Sequence, residues 1–396
     1  MTRPRDGIRG APAAVVRTAV ADENPLPGTG GFAGALDTQA AVEHGRLVGG
    51  RGGRVVRDVL GREPVFVEAQ RDADRAAGRW SFDPRRLVDP RLVDAGRVVD
   101  LDADTETRTW TLPDPAPEPA HHAAVERVRD AVLDRVRAVS ADGLAVAFSG
   151  GIDSALVASG VDAPCYVAGF PDSHDVAAAR EAAAEMDRDL RVVDLTHDDL
   201  VRAVPDVVRA TGRTNPMDVG IALPLFLVAE RARADGFSRL AVGQGADELF
   251  GGYAKVVSPA DDHRVAADTV RGARRETVET LPQQLPRDVL TLRAAGVEPV
   301  APLLHDRVVA AALALPADLL ATDEERKVAL RHAAEGVLPP GVTGADKKAV
   351  QYGSLVSREL DRLARQAGYK RRMDDHVGQY IRSLVDEGGD DAGPLE

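Results

Sequence analysis

Leu144-Ala-Val-Ala-Phe-Ser-Gly-Gly-Ile-Asp-Ser154 decides how the rest of the chain is read. Its first five residues are a short apolar run of the kind that fills a buried parallel strand. A glycine pair follows, and a helix is expected from Ser154. Between strand and helix, two glycines let backbone N–H groups approach an anion closely, and the helix N-terminus adds partial positive charge. Ser149 and Ser154 can each donate a hydroxyl hydrogen bond. Asp153 is out of place beside a bare phosphate, because like charges repel. It fits if Mg²⁺ lies between the carboxylate and the phosphate oxygens. A serine-capped turn accounts for a lone Ser-Gly-Gly but poorly for the whole hexapeptide at a strand–helix junction. No Gly-x4-Gly-Lys-Ser/Thr string occurs, which excludes a phosphate loop of the Walker type.

Outward from this stretch the rhythm is helix and strand in alternation. Helical spacing runs over 123–139 (Val125, Val128, Val132, Leu133, Val136). Strands are expected at 165–170, 190–195 and 240–242, and helices at 176–186, about 199–210 and 221–234. Short apolar strands between amphipathic helices make an α/β fold with a parallel sheet and crossover helices. From Ala260 onward the reading is mostly helical. After the 240–242 strand comes Gly243-Gln-Gly-Ala-Asp-Glu-Leu-Phe-Gly-Gly-Tyr253, a glycine turn followed by two adjacent acids. Asp247 can supply a second carboxylate for Mg²⁺, opposite Asp153. Alone, the string would serve equally as an acidic helix start with a glycine stop.

Toward the N-terminus the pattern changes. Residues 1–25 show no sustained period and are expected to fray. Residues 26–112 carry short β-like runs between glycine clusters (46–48, 54–60, 64–67 and 107–112), a small sheet domain. Pro113-Asp-Pro-Ala-Pro-Glu-Pro-Ala reads as a linker over 113–121, with His121 and His122 solvated at its end. The second domain spans 122–385, and 386–396 is an acidic, glycine-rich tail expected to be disordered.

Composition limits the function classes. Of 396 residues, 63 are acidic and 50 basic, a net charge of −13, and only five of the basic residues are lysine. An acidic, Arg-rich and Lys-poor surface suggests a salt-adapted, halophile-like source. It argues against a nucleic-acid partner, which needs a basic face. The single cysteine, Cys165, excludes an intrachain disulfide and any multi-cysteine metal site. The nine histidines show no metal-ligand spacing. No apolar stretch reaches membrane-spanning length, and Arg17 interrupts the only candidate signal core, so a soluble cytoplasmic protein is expected.

Ser149-Gly-Gly-Ile-Asp-Ser154 resembles the PP-loop of the N-type ATP pyrophosphatases, which cleave ATP between the α- and β-phosphates and adenylate a substrate oxygen. The 243–253 string resembles the GEGADELFGGY signature of asparagine synthetases. Ala168-Gly-Phe170 with Asp172-Ser-His-Asp175 resembles that family's second strand and the acidic turn that helps hold adenosine. Pro302-Leu-Leu-His-Asp-Arg, Lys327-Val-Ala-Leu-Arg331 and Asp346-Lys-Lys-Ala-Val-Gln-Tyr-Gly-Ser354 resemble its later motifs. The resemblance runs collinearly over about 122–360. It implies an adenine nucleotide alpha hydrolase-like α/β domain with a helical C-terminal part. Residue by residue, it implies that Ser149, Gly150, Gly151 and Ser154 bind ATP phosphates, and that Asp153 and Asp247 hold Mg²⁺–pyrophosphate. Ala147, Ala168, Val242 and Gly243 would contact adenosine through the backbone. Lys348 aligns with the lysine that stabilises charge as a carboxylate attacks the α-phosphorus. Lys347 is its neighbour, and the choice between them stays open.

Two departures stand beside the resemblance. Thr2 follows Met1 where glutamine-dependent members carry a nucleophilic cysteine, and Cys165 reads as a buried strand residue. Arg57-Asp-Val-Leu-Gly-Arg-Glu-Pro-Val-Phe66 nonetheless resembles the RDxLGxxPL(Y/F) hairpin of the family's glutaminase domain. Residues 26–112 therefore read as a small β-rich, Ntn-hydrolase-like remnant, shortened and catalytically empty. Gln244 stands where the signature has a Glu thought to handle a proton, which Gln cannot accept at neutral pH. The implied activity is adenylation of a carboxylate, aspartate first, with ATP and Mg²⁺, and transfer of ammonia to give asparagine, AMP and pyrophosphate. The alternatives are the same adenylation on another acid or amine, as in β-lactam synthetase-like relatives, or a non-catalytic ATP-binding relative. Small-molecule substrates, a separate glutaminase subunit and a homo-oligomer are the partners considered.

Overall fold

The computed structural model describes residues 5–43, 46–69, 78–345 and 353–387. The chain divides into two compact units. One comprises Met1–Arg135, Gln244–Pro286 and Ala301–Ala333; the other comprises Val136–Gly243, Arg287–Val300 and Ala334–Glu396.

The first unit opens with β1 (Arg5–Arg9) and α1 (Ala13–Ala21). This differs from the fraying expected of residues 1–25. The strand pairs antiparallel with β2 (Ala33–Glu43). The helix buries Ala13, Val16 and Ala19, and the Arg17 guanidinium donates to Leu36 O at 3.1 Å. Tertiary contacts, not local propensity, hold this segment. The other strands are β3 (Arg46–Arg51), β4 (Arg54–Arg57), β5 (Phe66–Glu68), β6 (Arg79–Ser81), β7 (Pro90–Leu92), β8 (Arg97–Asp100) and β9 (Thr105–Arg108). They pair antiparallel in the order β7-β5-β6-β3-β2-β4-β8-β9. The 54–60 run thus ends as a strand at Arg57. Its core is mainly Val and Ala, with Trp80 and Phe82 meeting edge-on at 5.4 Å between ring centres.

α2 (His121–Arg137) starts two residues before the expected helix, so both histidines are helical, and His121 Nε2 lies 3.3 Å from Asp318 Oδ2. Segment 113–115 is tied down within this unit. Arg275 donates to Leu112 O at 2.8 Å and Pro113 O at 3.1 Å, and Arg271 donates to Pro115 O at 2.7 Å.

The second unit holds a five-stranded parallel sheet. Its elements are β10 (Leu144–Ala147), α3 (Ile152–Ser159), β11 (Cys165–Gly169), α4 (His174–Glu185), β12 (Leu190–Asp194), α5 (His197–Thr211), α6 (Pro216–Ala234) and β13 (Arg239–Ala241). α5 begins with a Thr196/Asp199 capping box and α6 with Asn215 as cap and Pro216 in its first turn, as these residue types favour. In the remainder of the chain, α7 (Ala246–Phe250), α8 (Ala254–Val257) and α9 (Val270–Ala294) precede β14 (Glu298–Val300). After it come α10 (Asp306–Leu313), α11 (Val328–Ala334), α12 (Pro340–Thr343), α13 (Val356–Gln366) and α14 (His376–Glu387). Strand order is β12-β11-β10-β13-β14. β14 is the one parallel strand the helical reading of the last third overlooked. It carries Pro299 and lies at the sheet edge, where proline is tolerated. Asp386 and Glu387, expected in the acidic tail, close α14, and 388–396 lie outside the described residues. No helix among the described residues is long and apolar enough to cross a membrane.

Candidate functional site

β10 is the sheet's central strand. The chain leaves it first toward β11 and β12 on one side, and later places β13 and β14 on the other. The reversal lies between β10 and β13, and the carboxyl ends of strands at such a switch point form a crevice that binds ligands in open α/β sheets. Ser149, Gly150 and Gly151 follow β10 there and lead into α3. Gly150 has φ +75°, and a Cβ on it would sit 2.5 Å from the Ala178 carbonyl oxygen of α4, so both conformation and space demand glycine. The Ser154 hydroxyl fixes the loop. It donates to Gly151 O at 3.0 Å, accepts from the Ser149 amide at 3.2 Å, and lies 3.3 Å from the Ser149 hydroxyl.

Gly243, at the end of β13, closes the other side of the crevice. A Cβ there would lie 2.9 Å from Asp153 Cβ and 3.0 Å from the Ser154 amide nitrogen. The structure thus packs Gly243, the first residue of the 243–253 string, directly on the start of α3. Val242 is buried beside Gly243 and donates its amide to Val300 O of β14 at 2.9 Å. Ala147 ends β10 and pairs with Tyr166 of β11, two residues before Ala168. Ala147, Ala168, Val242 and Gly243 therefore mark the ends of three adjacent strands around one loop. Asp153 is buried at 8% exposure.

The acidic motif belongs to the first unit. Gly245, φ +88°, caps α7, and the space a Cβ would need there is filled by the Leu304 side chain. Asp247 is half-exposed and accepts an ion pair from Lys327 Nζ at 2.7 Å. Gly252 packs so closely on this pair that any side chain would displace it. Lys327 sits in the left-handed region at φ +60° and is only 9% exposed. Arg326 beside it donates to Gly252 O at 2.9 Å. The sequence reading placed Lys327 in one of the later motifs but gave it no role; its further signal was a lysine in a chain with five. Glu248 points into the core, where burial first and the Asp247 charge second push its carboxyl up to about 7. The Tyr253 hydroxyl donates to Glu248 Oε1 at 2.6 Å. Gln244 lies half-buried between Gly243 and Gly245.

Among the described residues no group of three His, Cys, Asp or Glu gathers in metal-ligand fashion. Mg²⁺ that arrives with polyphosphate needs one or two carboxylates and draws its other ligands from phosphate oxygens and water, and the buried Asp153 beside the loop is a carboxylate of that kind. The loop's glycine cradle and paired hydroxyls likewise fit a phosphate chain.

Lys347 and Lys348 lie outside the described residues. Gly353, just after them, packs directly on the buried Asp175 carboxylate of α4, and the Phe170 amide donates to Ser354 O at 3.2 Å. Asp175 thus stands under the returning chain rather than facing an open crevice. Cys165 is fully buried in β11, and burial pushes its thiol up to about 12, a poor nucleophile. A cavity of about 570 Å³ in the first unit, lined by Leu26, Pro113, Arg127, Ala131, Arg307 and Leu313 among others, shares no residue with these motifs.

Residues 124–287 and 261–388 match the family described as asparagine synthase, together more than half of the chain. The chain belongs to the asparagine synthase family. It is 27% identical over 297 residues to a putative glutamine-hydrolyzing asparagine synthetase of Methanocaldococcus jannaschii, covering 66% of this chain and 54% of that protein. It is 29% identical over 123 residues to the nodule asparagine synthetase of Pisum sativum, covering 27% of this chain and 21% of the relative. With asparagine synthetase B of Escherichia coli the identity is 24% over 190 residues, 48% of this chain and 34% of the relative. The chain therefore spans about half the length of the first of these proteins and less of the other two. The family match includes the PP-loop, the acidic motif and the Lys347–Lys348 segment.

Proposed function

We propose that this chain is an ATP-dependent, AMP-forming carbon–nitrogen ligase that adenylates a carboxylate, aspartate first, and passes the acyl group to ammonia. The observation that carries this reading is the packing of Gly243 on Asp153 and Ser154, which sets the PP-loop and the β13 end around one crevice. The Gly150 and Gly151 amides, the Ser149 and Ser154 hydroxyls and the α3 N-terminus bind the phosphates. Backbone at Ala147, Ala168, Val242 and Gly243 takes the adenosine. Asp153 and Asp247 would each offer a carboxylate to magnesium, and the ion would supply positive charge against the departing pyrophosphate. The substrate carboxylate attacks the α-phosphorus; the bond to the bridging oxygen breaks and pyrophosphate departs. Lys348, or Lys347, offsets the charge at that step. Gly353 lies five residues beyond Lys348, and an extended chain of that length reaches about 18 Å at most. Its anchor on Asp175 in α4, the helix whose Ala178 carbonyl meets Gly150, favours this role. Ammonia then attacks the acyl carbon, AMP leaves, and one proton is released.

Cys165 is the sequence's single cysteine, and its burial favours ammonia, free or from a separate glutaminase subunit, as the nitrogen source. The antiparallel sheet at the N-terminal side is read as an Ntn-hydrolase-like remnant. Gln244 favours a second reading: the same adenylation on another acid, with another amine as nucleophile, since Gln cannot accept the proton a Glu would.

The test is ATP–pyrophosphate exchange with Mg²⁺ in high KCl, across aspartate, glutamate and other amino and carboxylic acids. Aspartate-dependent exchange supports asparagine synthesis, and exchange with a different acid supports the second reading. Exchange with none, despite ATP binding, overturns both in favour of a non-catalytic ATP-binding relative. Asp153→Ala is expected to abolish exchange.

A further inference from the structure

The turn Arg57–Arg62 after β4 carries two buried arginines, 1% and 5% exposed, and neither is needed to bind a substrate in the reading above. Arg57 spends its whole fork on backbone. It donates to Glu63 O at 3.1 Å, Val93 O at 2.9 Å, Gly61 O at 2.6 Å and, outside the sheet, Pro282 O of α9 at 2.7 Å. Arg62 bonds Asp58 Oδ1 at 2.8 Å and Asp306 Oδ1 at 2.7 Å, and donates to Leu304 O at 2.7 Å. Asp306 in turn accepts the Gly28 and Thr29 amides at 2.9 and 2.7 Å.

Both arms end on segments that touch the acidic motif. Leu304, held by its carbonyl, fills the space at Gly245. α9, held at Pro282, carries Thr277, whose hydroxyl reaches Glu248 O at 3.4 Å. One buried turn is therefore bonded to the two supports that flank Gln244–Glu248.

We infer that the Arg57–Arg62 turn is a brace that sets the backbone of the acidic motif, with Arg62 a positioning residue acting through Leu304. A buried ion network adds little net stability over well-packed apolar residues but fixes one geometry, which is what this placement exploits. Only arginine can do it: a lysine is a point charge without the fork that spans two carboxylates and a carbonyl. The sheet around this turn thus has a use with no glutaminase activity at all. The catalytic consequence, though not the brace itself, rests on the adenylation reading.

Arg62→Lys and Leu304→Ala in the full chain test it. The first readout is hydrogen–deuterium exchange by mass spectrometry. Peptides spanning 244–253 should exchange faster in both variants, while peptides spanning 144–160 keep the wild-type rate. No change at 244–253, or a uniform rise along the chain, overturns the brace. If Arg62→Lys does not fold, Leu304→Ala decides, because it leaves the ion network intact. The second readout is ATP–pyrophosphate exchange, where kcat should fall about 10²-fold, the cost of a misplacement near 1 Å, with KM for ATP unchanged. A rise in KM with kcat retained overturns the positioning role. If the wild type exchanges with no acid, the adenylation reading fails, and hydrogen exchange still decides the brace.

Discussion

Lys327 Nζ stands 2.7 Å from Asp247 Oδ1, so a buried ammonium already occupies the carboxylate proposed to hold magnesium. Gly252 leaves room for the pair, and the left-handed backbone at Lys327 aims the side chain at it. Cation and metal then compete for one oxygen. Lys327→Met should lower the Mg²⁺ concentration that half-saturates ATP–pyrophosphate exchange, because the competing cation is gone. A titration giving the wild-type value would show that the two do not compete.

Gly243 leaves no room for a side chain between the β13 end and the start of α3. Contacts at 2.9 and 3.0 Å from a would-be Cβ involve Asp153 Cβ and backbone of the α3 start, which cannot swing aside. Gly243→Ala should destabilise by about 1–3 kcal/mol, the usual cost of overpacking, and weaken ATP binding by moving Ser154. Thermal melting and nucleotide titration check both. Unchanged ATP affinity with a lowered melting temperature would separate the packing from the phosphate loop.

The parallel core was largely legible because its strands are short apolar runs bounded by turns, and β10 through β13 lie within a few residues of their expected ends. What was missed had no local signal. β14 carries Pro299, which reads as a break unless one knows that the strand is an edge. α1 is a short Ala- and Val-rich segment whose burial comes from the sheet beside it. At the site, the glycines and Asp153 were readable because loop chemistry is local. Lys327 and the Arg62–Leu304–Gly245 chain were not, since each joins residues whose pairing is set by tertiary packing alone.

Asp306 terminates the buried network of the first unit. It accepts two backbone amides and pairs with Arg62, itself 5% exposed. Asp306→Ala removes a carboxylate from a buried guanidinium and orphans the Gly28 and Thr29 amides. The expected loss is about 3–5 kcal/mol in urea unfolding, the range for breaking a buried pair from one side. A loss below about 1 kcal/mol, typical of an exposed pair, would mean that solvent reaches Arg62.

Glu248 gives the structure a pH dependence whose sign can be worked out. Its carboxyl is raised from 4.5 to about 7 by burial, then by Asp247, against the Tyr253 hydrogen bond. Between those values the folded chain binds a proton that the unfolded chain has released, so stability falls as pH rises through that window and levels off above about 7. Glu248→Gln keeps the shape and removes the titration. The unfolding free energy of the variant should therefore gain on the wild type between pH 5 and 8, by up to the order of 3 kcal/mol for a shift of this size. The comparison is a urea unfolding series for both proteins across that range. A difference that stays constant with pH would mean that the carboxyl ionises in the folded protein as it does in the unfolded one.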